Sequence, residues 1–333
     1  MLRGTSVRPL LTIAIPTFDR LRWLSLTLTE VIKQTAEVTA GTLEVVVSDN
    51  CSADGTWPYL QGIASQFPFV RLNRNATNIG AEANFHLLPK LATGSYLHIL
   101  GDDDLLEPGT LARIVEALQD RPDYLIINFD IYDNSFQVCL QTNRLNVTED
   151  DVFLDHNACL RRIDPMAMSF ISMWVGRREF FNAIPDEKYR YLANFGMSVQ
   201  GDRYFGIVQF PKGKLIAAPC LRTRKDTEFN NDVYFSWFLH GGAEVFRLLV
   251  EEGVLPKATV RAQKGQLLRK HGLSRIRYER RKGIFRRAET YKLLRDDYGD
   301  LPDFWLLCVP AMFIPGLGKV IELTHWLLGR SDS

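Results

Sequence analysis

Four short strand-like runs in the first hundred residues each end in a polar loop, and the runs are separated by helical stripes. This alternation limits the possible folds more than any other feature of the chain. Leu10 to Ile15 mixes β-branched and apolar residues, as expected of a parallel strand covered on both faces. After the turn Thr17-Phe18-Asp19-Arg20, apolar residues recur at Leu21, Leu24, Leu28, Val31 and Ile32, which is one face of a helix. Leu43 to Ser48 is the second strand and runs into Asp49-Asn50-Cys51-Ser52-Ala53-Asp54-Gly55-Thr56, a loop rich in turn formers. A helix follows over Tyr59 to Phe67, then a short strand at Val70 to Asn73, a polar loop from Asn75 to Gly80, and a helix from Ala81 to Leu91. Tyr96 to Leu100 is the fourth strand. Strands and helices alternating at this spacing predict a doubly wound α/β sheet, in which ligands bind beyond the carboxyl ends of the strands. Asp19, Asp49, Asn78, Gly80 and Asp102 to Asp104 all lie at those ends and are expected to meet in one crevice.

The fourth strand stops at Gly101-Asp102-Asp103-Asp104, and a helix is expected from Pro108. Three carboxylates crowded at the end of a buried strand repel one another and raise their own pKa values unless a cation neutralises them. Oxygen-only ligands suit a hard ion, Mg2+ or Mn2+, which also binds phosphates. A solvated acidic turn is the plain alternative. Neither GxGxxG nor GxxxxGK[ST] occurs in the chain, so no glycine-rich loop supplies phosphate contacts and metal bridging is the expected way to hold a pyrophosphate.

These stretches resemble the successive motifs of family 2 glycosyltransferases with the GT-A fold. Ile13-Ala14-Ile15-Pro16-Thr17-Phe18-Asp19-Arg20, Val46 to Thr56, Asn75 to Asn84 and Gly101 to Asp104 occur in the family's order. They are most similar to the bacterial branch that builds surface polysaccharides, which includes abequosyltransferase-like enzymes. The resemblance is strong over roughly the first 125 residues. It implies a GT-A type, Rossmann-like mixed sheet and a nucleoside diphosphate sugar donor. It places Pro16, Thr17 and Asp19 beside the nucleotide, Asp49 at the base or ribose, and Asn78 and Gly80 in a loop closing over the nucleotide. The triplet matches the family's DxD region. Counting back from Pro108 puts Gly101 where members often carry the first carboxylate. Asp103 is then the implied metal ligand, with Asp104 helping and Asp102 on the donor side.

Further along, Tyr124 to Asp130 reads as a fifth strand, Val138 to Ile163 as irregular and acceptor-facing, and Phe170 to Phe181 as a strand entering a helix. Ser198-Val199-Gln200-Gly201-Asp202-Arg203 is similar to the family's Glu-Asp motif with glycine at the glutamate position. This implies Asp202 as catalytic base and inversion at the anomeric carbon; a helix N-terminal carboxylate is the structural alternative. Lys214 to Leu221 is a late strand leading into Arg222-Thr223-Arg224-Lys225-Asp226, a basic loop able to approach a leaving diphosphate.

The expected organisation is a catalytic domain over 1–230 and a helical C-terminal extension over 231–333. From Lys257 to Arg295 basic residues outweigh acidic ones, and Phe304 to Gly318 is intensely apolar but broken by Pro310, Pro315 and Gly316. That run is short for a spanning helix. A basic stretch beside an interfacial apolar element favours an anionic lipid surface; helical packing or an oligomer contact are the other options. The resemblance adds a lipid-linked saccharide acceptor and a location at the cytoplasmic face of the inner membrane. The five cysteines lack CxxC spacing, which argues against disulfides or zinc, and the run after Arg8 is too short for a signal peptide. Net charge is +1, so the whole molecule does not advertise a nucleic-acid partner. Two other readings stay open on sequence. A nucleotidyltransferase making nucleotide sugars is one, although Pro16-Thr17-Phe18-Asp19 is unlike the glycine-rich loop such enzymes carry. A noncatalytic nucleotide-sugar binding protein is the other, given Gly101 and Gly201.

Overall fold

The computed structural model describes residues 8–155, 158–159, 162–163, 170–182, 199–200, 203–204, 212–224, 239–240, 242–251, 253 and 255–314. Two compact units divide the chain. One comprises Met1–Ile163 with Ala167–Thr227, the other Asp164–Met166 with Glu228–Ser333.

The first unit is built on a mixed sheet. Its strands are β1 Leu11–Thr17, β2 Leu43–Asp49, β3 Val70–Arg74, β4 Tyr96–Ile99, β5 Asp104–Leu106, β6 Tyr124–Tyr132, β7 Cys139–Gln141, β8 Asp151–Phe153, β9 Trp174–Arg177 and β12 Gly213–Arg224. A separate two-stranded ribbon pairs β10 Val199–Gln200 with β11 Arg203–Tyr204. The main sheet runs β3-β2-β1-β4-β9-β6-β12-β5, with β7 on β6 and β8 on β12. Strands β3, β2, β1 and β4 are mutually parallel. β9 enters antiparallel between β4 and β6, and β12 returns parallel to β6. Helices α1 Leu21–Thr35, α2 Thr56–Gln66, α3 Ala81–Leu91, α4 Thr110–Leu118 and α5 Arg178–Asn182 alternate with the strands.

The apolar runs become central strands because both faces are covered: Leu11, Ile13, Ala14, Ile15, Val45 and Val47 are fully buried. Helix α1 turns Leu24, Leu28 and Val31 inward, as the stripe predicts. Register then fixes the crevice. Thr17 on β1 pairs with Asp49 on β2, and Asp49 pairs with Arg74 on β3, so three polar residues stand in a row at the carboxyl ends.

Two boundaries differ from the sequence expectation. An unexpected strand precedes the helix: Asp104 to Leu106 forms β5, antiparallel to β12 with Asp104 opposite Thr223. Helix α4 starts only at Thr110, after Gly109 turns the chain at φ 76°. The late strand also extends to Arg224, with an irregularity between Ile216 and Leu221. Pro219 lies in that interval and has no N–H to donate to the ladder.

The second unit is helical where described: α6 Gly242–Glu251, α7 Lys257–Leu267, α8 Leu273–Lys282, α9 Arg287–Tyr298 and α10 Val309–Phe313, with π-helical turns at Leu268–Gly272 and Phe304–Cys308. Phe246, Leu268, Leu294, Tyr298, Phe304 and Met312 are fully buried in it. The Tyr298 hydroxyl donates to the Leu239 carbonyl at 2.5 Å, giving this large buried side chain its polar partner. Among the described residues no helix is long and apolar enough to cross a membrane. All five cysteines are free.

Candidate active site

The crevice is assembled from loops far apart in sequence. Thr17 Oγ1 donates to Asp102 Oδ2 at 2.7 Å, which ties the end of β1 to the acidic turn. Arg20, at the mouth of α1, reaches Asp102 Oδ1 at 3.1 Å and Asp103 Oδ2 at 2.9 Å. Arg224, the last residue of β12, donates to the same Asp103 oxygen at 2.7 Å. Ser172 Oγ accepts from the Gly101 N–H at 2.8 Å and donates to Asp104 Oδ2 at 2.5 Å, so the turn before β9 holds the opposite flank. Behind Ser172, the buried ring of His98 places Nε2 2.7 Å from the Ser172 carbonyl. A carbonyl only accepts, so Nε2 carries the proton, and burial pushes the imidazole down to about 4, keeping it neutral.

The three carboxylates are not equivalent. Asp102 and Asp104 are buried, whereas Asp103 is partly open. Burial pushes Asp104 up to about 7, and the neighbouring Asp103 charge adds to it. Burial also raises Asp102 to about 6 against the opposing pull of Arg20. Glu44 at the other end of β2 provides the contrast. Burial raises it too, but donors from Thr12, Thr93 and Arg71 outweigh that effect and its pKa falls below the ordinary value. A buried carboxylate with enough donors is a structural anchor. In the triplet the balance is reversed: burial outweighs Thr17 and Arg20 at Asp102, and Ser172 and Thr223 at Asp104.

The nucleotide-side loops are tied into one another. Ala53 N–H donates to Asp19 Oδ1 at 2.7 Å and Asp19 N–H to Ser52 Oγ at 2.9 Å. Ser52 N–H donates in turn to Asp49 Oδ1 at 3.0 Å. Asp19 and Cys51 both adopt positive φ, 49° and 67°, a conformation that non-glycine residues enter only under constraint. Asp54 receives the first N–H of α1 from Leu21 at 2.8 Å and the Thr56 N–H of α2 at 3.1 Å, so one carboxylate caps two helices whose dipoles favour it. The second loop is an asparagine network. Asn75 Nδ2 donates to Asn50 Oδ1 and Asn84 Oδ1, Asn50 Nδ2 to Asn78 Oδ1, and Ser48 Oγ to Asn84 Oδ1, all within 3.0 Å.

The profile of glycosyl transferase family 2 matches residues 12–184, just over half of the 333-residue chain. The chain belongs to glycosyl transferase family 2. It is 32% identical over 115 residues to the abequosyltransferase RfbV of Salmonella typhimurium, and that match spans about a third of either chain, 34% in each case. Its fold is similar to that of S. aureus TarS 1-349 in complex with UDP-GlcNAc, with a TM-score of 0.61 and 15% identity over 90% of this chain and 86% of the other. It is also similar to the mannosyltransferase PcManGT of Pyrobaculum calidifontis in complex with GDP-Man and Mn2+, with a TM-score of 0.51 and 15% identity over 94% and 83% of the two chains. At this identity the two structures establish the GT-A fold.

Those residues expected from sequence that are described gather at one end of the sheet. Pro16 and Thr17 close β1, and Asp19 and Asp49 are joined through Ser52. Asn78 and Gly80 sit in the asparagine loop, where Gly80 turns at φ 88° and donates its N–H to Asn78 Oδ1. Asp102, Asp103 and Asp104 face Thr17, Arg20, Arg224 and Ser172. Asp49 is fully buried; its Oδ2 lies 3.3 Å from Arg74 Nε and accepts no hydrogen bond among the described residues. Asp202 lies outside the described residues.

Gly101 has a steric reason in the family 2 turn. A Cβ there would stand 2.6 Å from Asp104 Oδ2 and 3.3 Å from Asp103 Oδ1, so the bare α-carbon admits the inward Asp104 carboxylate. Sequence reasoning missed Arg20 and Ser172. Arg20 directly follows Asp19 and was legible as a cation at a strand end; Ser172 lies 68 residues from Asp104 with nothing local to mark it.

Proposed function

We propose that the protein transfers a sugar from a nucleoside diphosphate sugar to an acceptor hydroxyl in the assembly of a bacterial surface polysaccharide. The observation that carries this reading is the convergence of Thr17, Asp19 and the acidic triplet at the carboxyl ends of adjacent parallel strands in a family 2 chain. The likeness to RfbV supports the polysaccharide context, and the UDP-GlcNAc and GDP-Man complexes of its structural neighbours support the donor class.

Within this reading the chain's own groups divide the work. The 51–56 loop, anchored through Asp49, Ser52 and Asp54, shapes the base and ribose side, and the asparagine loop with Asn78 and Gly80 closes over the nucleotide. Asp202 takes the proton from the acceptor hydroxyl as it attacks the anomeric carbon from the face opposite the leaving diphosphate, inverting configuration. Arg20 keeps Asp102 and Asp103 in place. Asp102 braces Thr17 on the donor side.

The donor set suits a divalent cation, Mn2+ or Mg2+, held principally by Asp103. Asp103 Oδ1 accepts no hydrogen bond among the described residues, and the raised Asp102 and Asp104 leave negative charge to be compensated. Asp104 joins such a set only by exchanging its bond to Ser172. No ready-made group of three or more metal-ligating side chains occurs among the described residues, so water and the donor's phosphates would have to complete the set. When bound, the ion supplies Lewis-acid neutralisation of charge developing on the leaving diphosphate.

The acceptor is a lipid-linked saccharide, and the helical unit docks on the cytoplasmic membrane face. Supporting this, Leu306, Phe313, Ile314 and Ile284 are exposed, Arg287 lies 5.2 Å from the Phe313 ring, and Arg280 donates to the Met312 carbonyl. Exposed apolar side chains among arginines fit an anionic bilayer. Co-sedimentation with anionic vesicles that weakens with salt supports the docking; equal recovery with neutral vesicles contradicts it.

Incubation with a panel of nucleoside diphosphate sugars tests the activity. Release of a nucleoside diphosphate, by transfer or slow hydrolysis, is expected. Release of pyrophosphate from nucleoside triphosphate and sugar phosphate would replace this reading by a nucleotidyltransferase.

A further inference from the structure

The end of the sheet opposite the acidic triplet holds a cavity of about 440 Å3, within the size range of small-molecule sites. It lies where the chain enters the parallel strands. Leu10 stands before β1 and Arg121 before β6, and Arg177 arrives because β9 runs antiparallel and pairs its last residue with Tyr96, the first of β4. Arg8, Arg121 and Arg177 line the cavity against one carboxylate, Glu179. The buried Leu118 and half-buried Leu10 give it apolar wall. A cleft of one charge sign with apolar walls concentrates its field on an incoming counter-ion.

The guanidiniums are fixed largely by carbonyls, which orient a cation without neutralising it. Arg8 donates from Nε to the Thr93 carbonyl at 2.8 Å and from Nη2 to the Gly94 carbonyl at 3.1 Å, leaving Nη1 without a partner among the described residues. Arg177 donates from Nη2 to the Arg121 carbonyl at 3.3 Å, and it alone of the three meets a carboxylate, Asp123 Oδ1 at 3.3 Å from its Nε. The Arg121 side chain is exposed and makes neither a hydrogen bond nor an ion pair among the described residues. Its backbone sits at φ 52°, which a long side chain enters only under constraint, and this turn presents the carbonyl that Arg177 uses. Two exposed cations therefore stay uncompensated beside Glu179.

We infer that this cavity binds a phosphorylated ligand, with Arg8, Arg121 and Arg177 donating to its phosphoryl oxygens. Guanidinium N–H groups pair two at a time with such oxygens, and a phosphate dianion supplies the charge that carbonyls do not. The site is separate from the donor crevice, because it lies at the amino ends of the parallel strands. A soluble phosphate compound and a phospholipid headgroup present the same group, and the two are separated by experiment.

The test is calorimetric titration of the full chain with inorganic pyrophosphate in EDTA, and flotation with phosphatidylcholine vesicles containing phosphatidic acid, repeated with Arg8→Ala, Arg121→Ala and Glu179→Gln. Each arginine variant should weaken binding on the order of 10-fold, and Glu179→Gln should tighten it about 3-fold. Those opposite shifts distinguish the cavity from the donor crevice, to which none of the three residues belongs. Pyrophosphate binding that follows the variants assigns a soluble ligand. Vesicle recovery that follows them, with pyrophosphate unbound, assigns a headgroup; either result supports the inference. Should an arginine variant fail to fold, Glu179→Gln decides, since it removes no anchoring bond. Binding of neither probe, or binding that no variant moves, overturns the inference and leaves the donor site standing.

Discussion

Asp104→Asn should make the protein more stable above neutral pH and flatten its pH dependence. Asp104 is buried, pushed up to about 7 by burial and by the Asp103 charge beside it. In the unfolded chain its value is the ordinary 3.8. The folded state therefore binds this proton more tightly, so the contribution to stability is full below the unfolded value and is lost as pH rises through about 7. A move from 3.8 to about 7 corresponds to about 4 kcal/mol at the limit. Asp102, raised to about 6, pulls the same way. Because the carboxylates titrate against one another, removing one charge should recover about 2 kcal/mol. Asparagine keeps the shape, and its amide oxygen accepts from the Ser172 hydroxyl as the carboxylate does. Urea unfolding in EDTA at pH 5 and pH 8 measures the effect. The native protein should lose stability between the two, and Asp104→Asn should lose less. Identical pH slopes in the two proteins would refute the reading of Asp104 as a carboxyl that burial keeps protonated in the folded state.

Gly101→Ala places a Cβ against the Asp104 carboxylate, so it should cost about 1 to 3 kcal/mol in denaturant unfolding and displace the turn; no loss of stability would mean Asp104 is free to swing away. Asn84→Ala leaves Ser48 and Asn75 without their shared acceptor. It should cost about 1 to 3 kcal/mol and speed hydrogen exchange across residues 75–80. Asp202→Asn should lower the turnover number about 100-fold or more while donor affinity holds; undiminished transfer would remove Asp202 from the mechanism.

The parallel half of the sheet was legible because β1, β2 and β4 are buried on both faces and so appear as mostly apolar runs. The polar loops after them follow from the rule that ligands sit at the carboxyl ends. What could not be read was non-local. β9 slips antiparallel between β4 and β6, and nothing in Trp174-Val175-Gly176-Arg177 says which neighbours it takes. β5 spans only Asp104 to Leu106, too short for any periodicity, yet it turns Asp104 inward and makes Gly101 necessary. Glu44 interrupts an apolar strand, and only the fold shows Thr12, Thr93 and Gly94 supplying its donors. Arg224 reaches Asp103 across 121 residues. Sequence placed a basic loop nearby but not the carboxylate it meets.

Thermal-shift measurements with UDP, GDP, CDP and dTDP, each with Mn2+ or EDTA, on the native protein and Asp103→Asn test the donor site most directly. A ligand at 100 times its Kd adds about 2.7 kcal/mol to the folded state, several degrees in Tm. One of the nucleoside diphosphates should raise Tm, Mn2+ should raise it further, and Asp103→Asn should lose that second increment. A native protein whose Tm no member of the panel moves would contradict the reading of this crevice as a donor site.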